Sequence, residues 1–228
     1  NHVIDLQSDI VSSCAIHQVS VASGHRVVKR IDGKTLAAVA DLGVSVSSIT
    51  AAPAVIWVEG PSDAIYLRLW FAHLLKVPPR EGRDYTFVFH GGALLAHHGG
   101  DEDIVNLVKV HPAFFLICDS DQASIEASLK ARLARLADNT QFADRLWITE
   151  PREIEGYIPM SLFAAAHKLI FNPDFVDNTS LTFVERVRSA ALPRSIAKHK
   201  VPTARTLVNY VEMNKVPTAE LCTFDLKE

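Results

Sequence analysis

The chain has 228 residues, 48% of them apolar and 21% charged, with a formal net charge of −3. That is enough apolar side chain for a packed core and too little charge for a disordered chain. It excludes a globally basic nucleic-acid binder, but not a protein with one basic face. Cys14, Cys118 and Cys222 are widely spread, match neither a disulfide framework nor a zinc pattern, and point to a reducing, cytoplasmic setting. No stretch is long and apolar enough to cross a bilayer, and no signal peptide opens the chain, so no membrane partner is expected. The chain opens on Asn1, which suits a piece of a longer protein.

Residues 1–50 read as a lead-in without its own core. Within it, Val19 to Ile31 holds two short strands around the Ser23-Gly24 turn signal, and Lys34 to Leu42 a short helix closed by Gly43. From Ala54 strands and helices alternate. Val55–Val58 is a strand; Ser62–Leu75 is a helix with an apolar stripe, capped by Ser62 and ended by Pro78-Pro79. Tyr85–Phe89 is a strand followed by Gly91-Gly92. Asp103–Val110 is helical, Ala113–Cys118 a strand, Ala123–Ala137 a helix and Leu146–Thr149 a strand. This pattern predicts an α/β core over 51–160, a mostly parallel sheet flanked by helices. Ser161–Phe171, Leu181–Ala190 and Pro202–Val211 then read as helices. They make residues 161–228 a small appended helical domain with a basic segment.

Acidic residues follow three of the strands, where open α/β sheets build their sites. Glu59 and Asp63 follow the first, Asp119 and Asp121 the third, and Glu153 and Glu155 the last. Asp119 and Asp121 share a face if the strand continues that far. Taken singly, each has an ordinary explanation: Asp63 at a helix start, Asp-x-Asp in a solvated loop, Glu153 and Glu155 at another helix start. Together they would repel one another unless a cation neutralised them, and an all-oxygen set favours Mg²⁺, Mn²⁺ or Ca²⁺ over zinc. His90, His97 and His98 match no zinc spacing.

Val58-Glu59-Gly60-Pro61-Ser62-Asp63 followed by an apolar helix, then Asp119-Ser120-Asp121, resembles the Toprim fold of topoisomerases, primases and related nucleases. A fuller pattern is similar to the OLD (overcoming lysogenization defect) nucleases. It adds Phe89-His90-Gly91-Gly92 with Leu94-Leu95, and Arg152-Glu153-Ile154-Glu155-Gly156-Tyr157-Ile158-Pro159. The resemblance covers roughly residues 30–215 and implies a Toprim-like core. It also implies Glu59, Asp63, Asp119, Asp121, Glu153 and Glu155 as ligands of two Mg²⁺ or Mn²⁺ ions per site, with Ca²⁺ as a supporting or non-productive ion. Gly156 departs from the Asn or Asp expected there. An ABC-type ATPase domain upstream is implied as partner; this chain has no phosphate loop of its own. A homodimer is a further possibility.

Residues 179–215 carry Arg186, Arg188, Arg194, Lys198, Lys200, Arg205 and Lys215 against Glu185 and Glu212, a local charge of +5. A basic flank beside an acidic site suits a polyanion held by one and cut at the other, although an ordinary charged helix surface has the same composition. Arg152, Arg194, Lys198 and Arg205, with the Gly91-Gly92 backbone, are the candidate DNA contacts. Lys200 resembles the family's charge-stabilising lysine, with Lys198 as the alternative. The expected activity is two-metal hydrolysis of DNA phosphodiesters, with Glu59, Asp119, Asp121, Glu155 and Lys200 as catalytic residues. The rival readings are a primase or topoisomerase fragment, a receiver-like signalling domain, and a metal-stabilised interaction module without catalysis. None of Tyr66, Tyr85, Tyr157 and Tyr210 has a context that marks a topoisomerase nucleophile.

Overall fold

The computed structural model describes residues 16–22, 25–31, 52–90, 111–124, 127–140, 142 and 144–222, with the first two stretches and Arg132 as backbone only. The expected helices at 34–42 and 103–110 lie outside the described residues. The chain divides into two units that interleave along the sequence: residues 1–58 with 80–116, and residues 59–79 with 117–228.

Two strands, β1 (Ile16–Ala22) and β2 (His25–Ile31), pair antiparallel, with Ala22 opposite His25 and Ile16 opposite Ile31. A second sheet has four strands, β3 (Val55–Val58), β4 (Thr86–Phe89), β5 (Phe114–Cys118) and β6 (Leu146–Ile148), in the order β4-β3-β5-β6. β3 runs parallel to both neighbours, with Ile56 opposite Phe87 on one side and Phe115 on the other. Sandwiched between two strands, β3 buries all four of its side chains. That is why it reads as an unbroken apolar run rather than an alternating one. The expected α/β fold with a mostly parallel sheet and flanking helices is the fold observed.

In the second unit, α1 (Pro61–Leu74) buries Ala64, Tyr66, Leu67, Leu69 and Trp70. Its cap is Gly60, not Ser62 as the sequence had suggested. Pro61, with its fixed φ and missing N–H, is suited to the first helical position and sets the start one residue earlier. α2 is Ala131–Ala137 only, shorter than the expected 123–137. Lys130, immediately before it, donates to Asp121 instead of continuing a helix backwards. A 3₁₀ turn spans Ile154–Tyr157, and α3 spans Met160–Ala166. α3 stops five residues before the expected end because Lys168 turns left-handed (φ 55°) and Leu169 N–H closes onto Ala164 C=O at 2.8 Å.

α4 (Phe183–Ser189) opens on a capping box, with Thr182 and Glu185 each bonded to the other's backbone N–H. A short α5 (Ser195–Lys198) leads into α6 (Lys200–Asn214), which packs against α1 and α3. The unit's core gathers Trp70, Tyr157, Phe163, Phe183, Val187, Leu207 and Val211. Each such side chain is worth roughly 1.5–3 kcal/mol when withdrawn from water. Edge-on contact between Trp70 and Tyr157, ring centres 5.7 Å apart, ties α1 to the 3₁₀ turn.

Candidate functional site

All six predicted acidic residues and Lys200 belong to the second unit. Their placement follows from local structure. Asp63, in the first turn of α1, accepts from Gly60 N–H at 2.9 Å and from the Ser62 hydroxyl at 3.1 Å. Asp119 follows the last residue of β5 and accepts from Ile154 N–H at 2.8 Å. That bond joins the Asp-x-Asp segment to the Glu153–Glu155 segment. Three more bonds reinforce the join. Ser120 N–H donates to Thr149 Oγ1 at 3.0 Å, and the Ser120 hydroxyl donates to Pro151 C=O at 2.9 Å. Asp121 N–H donates to Arg152 C=O at 3.0 Å. Ser120 and Thr149 are buried, so their hydroxyls serve the fold and not the solvent.

Asp119 and Asp121 do not share a strand face. The strand ends at Cys118, and Asp121 is left-handed, with φ 54°. Asp121 is exposed and its carboxylate accepts from Lys130 at 2.6 Å. Glu153 Oε2 accepts from Phe183 N–H, at the start of α4, at 3.0 Å, a position that suits an anion. The Lys200 ammonium, at the start of α6, bridges Glu153 Oε2 at 3.3 Å and Glu155 Oε2 at 3.2 Å. Glu155 is fully buried, not a solvated helix-start residue, and its Oε1 has no hydrogen-bond partner among the described residues.

The acids feel one another. Burial lifts the pKa of Glu155 from 4.5 to about 7; Lys200 opposes the rise, while Asp63 and Glu153 add to it. Burial and then Glu155, Asp63 and Glu59 hold Asp119 well above the ordinary carboxylate range. Asp63 is raised chiefly by burial against the bonds from Gly60 and Ser62. Glu59 has surface open to solvent, yet the surrounding protein and then Asp63 and Asp121 raise it too. Burial pulls the Lys200 ammonium down, but Glu155 and Glu153 outweigh that and hold it above its ordinary value. Cys118, just before Asp119, is pushed up to about 12 by burial and by Asp119, so it is a packed thiol and not a nucleophile.

The donor set is oxygen-only, strongly anionic and partly desolvated, and it contains one buried oxygen without a partner. Those are the properties of a seat for a hard divalent cation. Among the described residues, however, no three acidic, His or Cys side chains are already gathered around one point. Five of the six carboxylates are instead held by donors: Asp63 by Gly60 and Ser62, Asp119 by Ile154, Asp121 by Lys130, Glu153 by Phe183 and Lys200, and Glu155 by Lys200.

Of the candidate DNA contacts, Arg194, Lys198 and Arg205 are exposed. Arg152 is half-buried, with a buried Nε that has no partner among the described residues. Gly91 and Gly92, with His97 and His98, lie outside the described residues. Lys200, not Lys198, is the lysine that reaches the acids.

Arg186 overturns part of the basic-flank reading. It is buried, paired through Nε to Asp177 Oδ1 at 2.8 Å and through Nη2 to Asp177 Oδ2 at 2.6 Å, and cannot meet a phosphate. Gly156 also gains an explanation. A Cβ there would lie 2.1 Å from Pro151 Cβ, so the expected Asn or Asp has no room. Sequence reasoning missed Lys130, Thr149, Arg186 and the Phe183 N–H. Only Thr149, a hydroxyl residue between a strand and Pro151, left a local signal. Comparison with protein-family models and with curated proteins gives no match to this chain.

Proposed function

We propose that this chain is the nuclease part of an OLD-type protein: a Toprim-like, divalent-metal-dependent hydrolase of DNA phosphodiesters. The observation that carries the reading is the desolvated acidic group around Lys200. Carboxylates from three segments raise one another's pKa, and Glu155 Oε1 lies buried without a partner among the described residues. Keeping such a group anionic at neutral pH is costly unless a cation joins it.

Glu59, Asp63, Asp119, Asp121, Glu153 and Glu155 would hold the metal. Mg²⁺ or Mn²⁺ bound there would polarise a phosphate oxygen and make water a better nucleophile. Glu155 is the stronger ligand candidate of its pair, because Glu153 Oε2 already serves Phe183 N–H and Lys200. Asp119 is oriented by Ile154 N–H, which engages Oδ1, so its other oxygen would be available to a metal. Lys200 keeps one positive charge beside the reacting phosphate and offsets the negative charge that grows on it. Exposed Arg194, Lys198 and Arg205 would bind the DNA backbone, making affinity fall with salt.

The tyrosine-nucleophile alternative is disfavoured by two side chains. Tyr66 is fully buried and its hydroxyl is pushed well above its ordinary pKa by burial and then by Glu155 and Asp63. Tyr157 is buried and accepts from Glu150 N–H at 3.0 Å. The test is cleavage of supercoiled plasmid with Mg²⁺, Mn²⁺ or EDTA. Cleavage should require the metal and fall at least about 100-fold in Asp119→Asn and Glu59→Gln, since each removes charge and a ligand. Metal uptake without cleavage would make the chain a metal-stabilised interaction module; undiminished cleavage by both folded variants would refute the site.

A further inference from the structure

Glu155 sits in a single turn of 3₁₀ helix, Ile154–Tyr157, too short to hold its own shape. Its side chain is fully withdrawn from water beside other acids, which would favour swinging it outward. Something outside the turn must pin it. One side chain reaches both of its ends. Arg186, on α4, donates through Nη1 to Glu155 C=O at 2.6 Å and through Nη2 to Ile158 C=O at 3.0 Å. Its remaining fork is closed by Asp177, on the loop before α4.

We propose that the Arg186–Asp177 pair is a positioning device for the acidic site: it clamps the backbone of the Glu155 turn so that the Glu155 carboxylate faces Lys200 and Glu153. The role rests on the metal-site reading above. Asp177 neutralises Arg186 locally, so the pair fixes geometry and adds little net charge to the site. The planar guanidinium is required, because a lysine ammonium cannot span two carbonyls and a carboxylate in one plane. α4 thereby holds both acids, since Phe183 N–H anchors Glu153 and Arg186 anchors Glu155.

Mn²⁺ titration followed by electron paramagnetic resonance, run with thermal melting, tests this on Arg186→Lys and Asp177→Asn. Both folded variants should bind Mn²⁺ roughly 10–100-fold more weakly than wild type, the usual effect of losing a support behind a metal ligand. Amide hydrogen exchange at Glu155 to Ile158 should speed up in both. A purely structural pair would lower the melting temperature but leave Mn²⁺ affinity and those amides unchanged in the folded protein, and that outcome overturns the proposal. If Arg186→Lys does not fold, Asp177→Asn decides alone, because Asp177 is partly exposed and its amide keeps the shape. Failure of the wild type itself to take up Mn²⁺ would sink the metal-site reading and this inference with it. Equal affinity in wild type and variants would sink only this inference.

Discussion

Glu155→Gln should make the metal-free protein lose less stability than wild type as pH rises, although it removes an ion-pair partner. The raised pKa sets the size of the effect. A carboxyl at about 7 in the folded chain and 4.5 when unfolded binds its proton more tightly in the folded state. Between those values the folded state holds more protons, so stability falls as pH rises and the loss is complete above the folded pKa. At about 1.4 kcal/mol per pH unit the full loss is on the order of 3 kcal/mol, of which roughly 2–3 kcal/mol accrues between about pH 5 and pH 8. Glutamine cannot ionise and escapes it. Its NH₂ lacks an acceptor where Oε1 now has no partner among the described residues, a penalty of about 1–3 kcal/mol. That penalty is the same at both pH values, so the change in the variant-minus-wild-type difference is the quantity to measure. Urea unfolding in EDTA at about pH 5 and about pH 8 gives it. The difference should swing by roughly 2–3 kcal/mol in favour of Glu155→Gln at the higher pH. Saturating Mn²⁺ should then stabilise wild type more than the variant, by about 2.7 kcal/mol at a hundred times the dissociation constant if the variant does not bind. A difference that is flat with pH, or that moves toward wild type, would refute the claim that Glu155 is buried beside uncompensated charge.

Lys200→Met removes the cation that opposes the Glu155 shift, so metal-free stability should fall more steeply with rising pH than in wild type, and the fall should extend above pH 7; the same urea series reads it, and an unchanged slope would show that Lys200 is not coupled to Glu155. Gly156→Ala should cost about 1–3 kcal/mol because its Cβ meets the Pro151 Cβ, and Pro151→Gly in the same chain, which removes that Cβ, should recover part of the loss; additive effects in the double mutant would show that the two do not touch.

The parts of this fold that were legible in the sequence are those decided by near neighbours in the chain. β3 and β5 announce themselves as short apolar runs, and α1 as an apolar helix behind Pro61. Lys200 was marked by its resemblance alone, and the structure places it against Glu153 and Glu155. What escaped was decided by partners far away or by steric fit. Arg186 reads as a surface cation on a basic helix until Asp177 and two carbonyls 28 and 31 residues upstream claim it. The 123–137 segment has helical composition throughout, but Lys130 is drawn to Asp121 and helix begins only at Ala131. Gly156 is explained by contact with a proline ring five residues earlier, which no periodicity encodes.

The same geometry explains why the acids are not already clustered around one point. Asp63, Asp119, Asp121, Glu153 and Glu155 are each tethered by a group supplied by the fold, and the tethers differ in strength. Asp63 and Asp119 are held by backbone N–H groups in a buried setting. Asp121 is held by an exposed lysine, a pairing that water and salt weaken. Glu155 has one oxygen on Lys200 and one without a partner among the described residues. A cation entering this group would therefore meet two pre-oriented ligands, one readily detached from Lys130, and one waiting. If an ion does relieve this arrangement, stability would rise with metal concentration, and the cost of the acids to folding would be lifted by the same charge that the proposed chemistry needs.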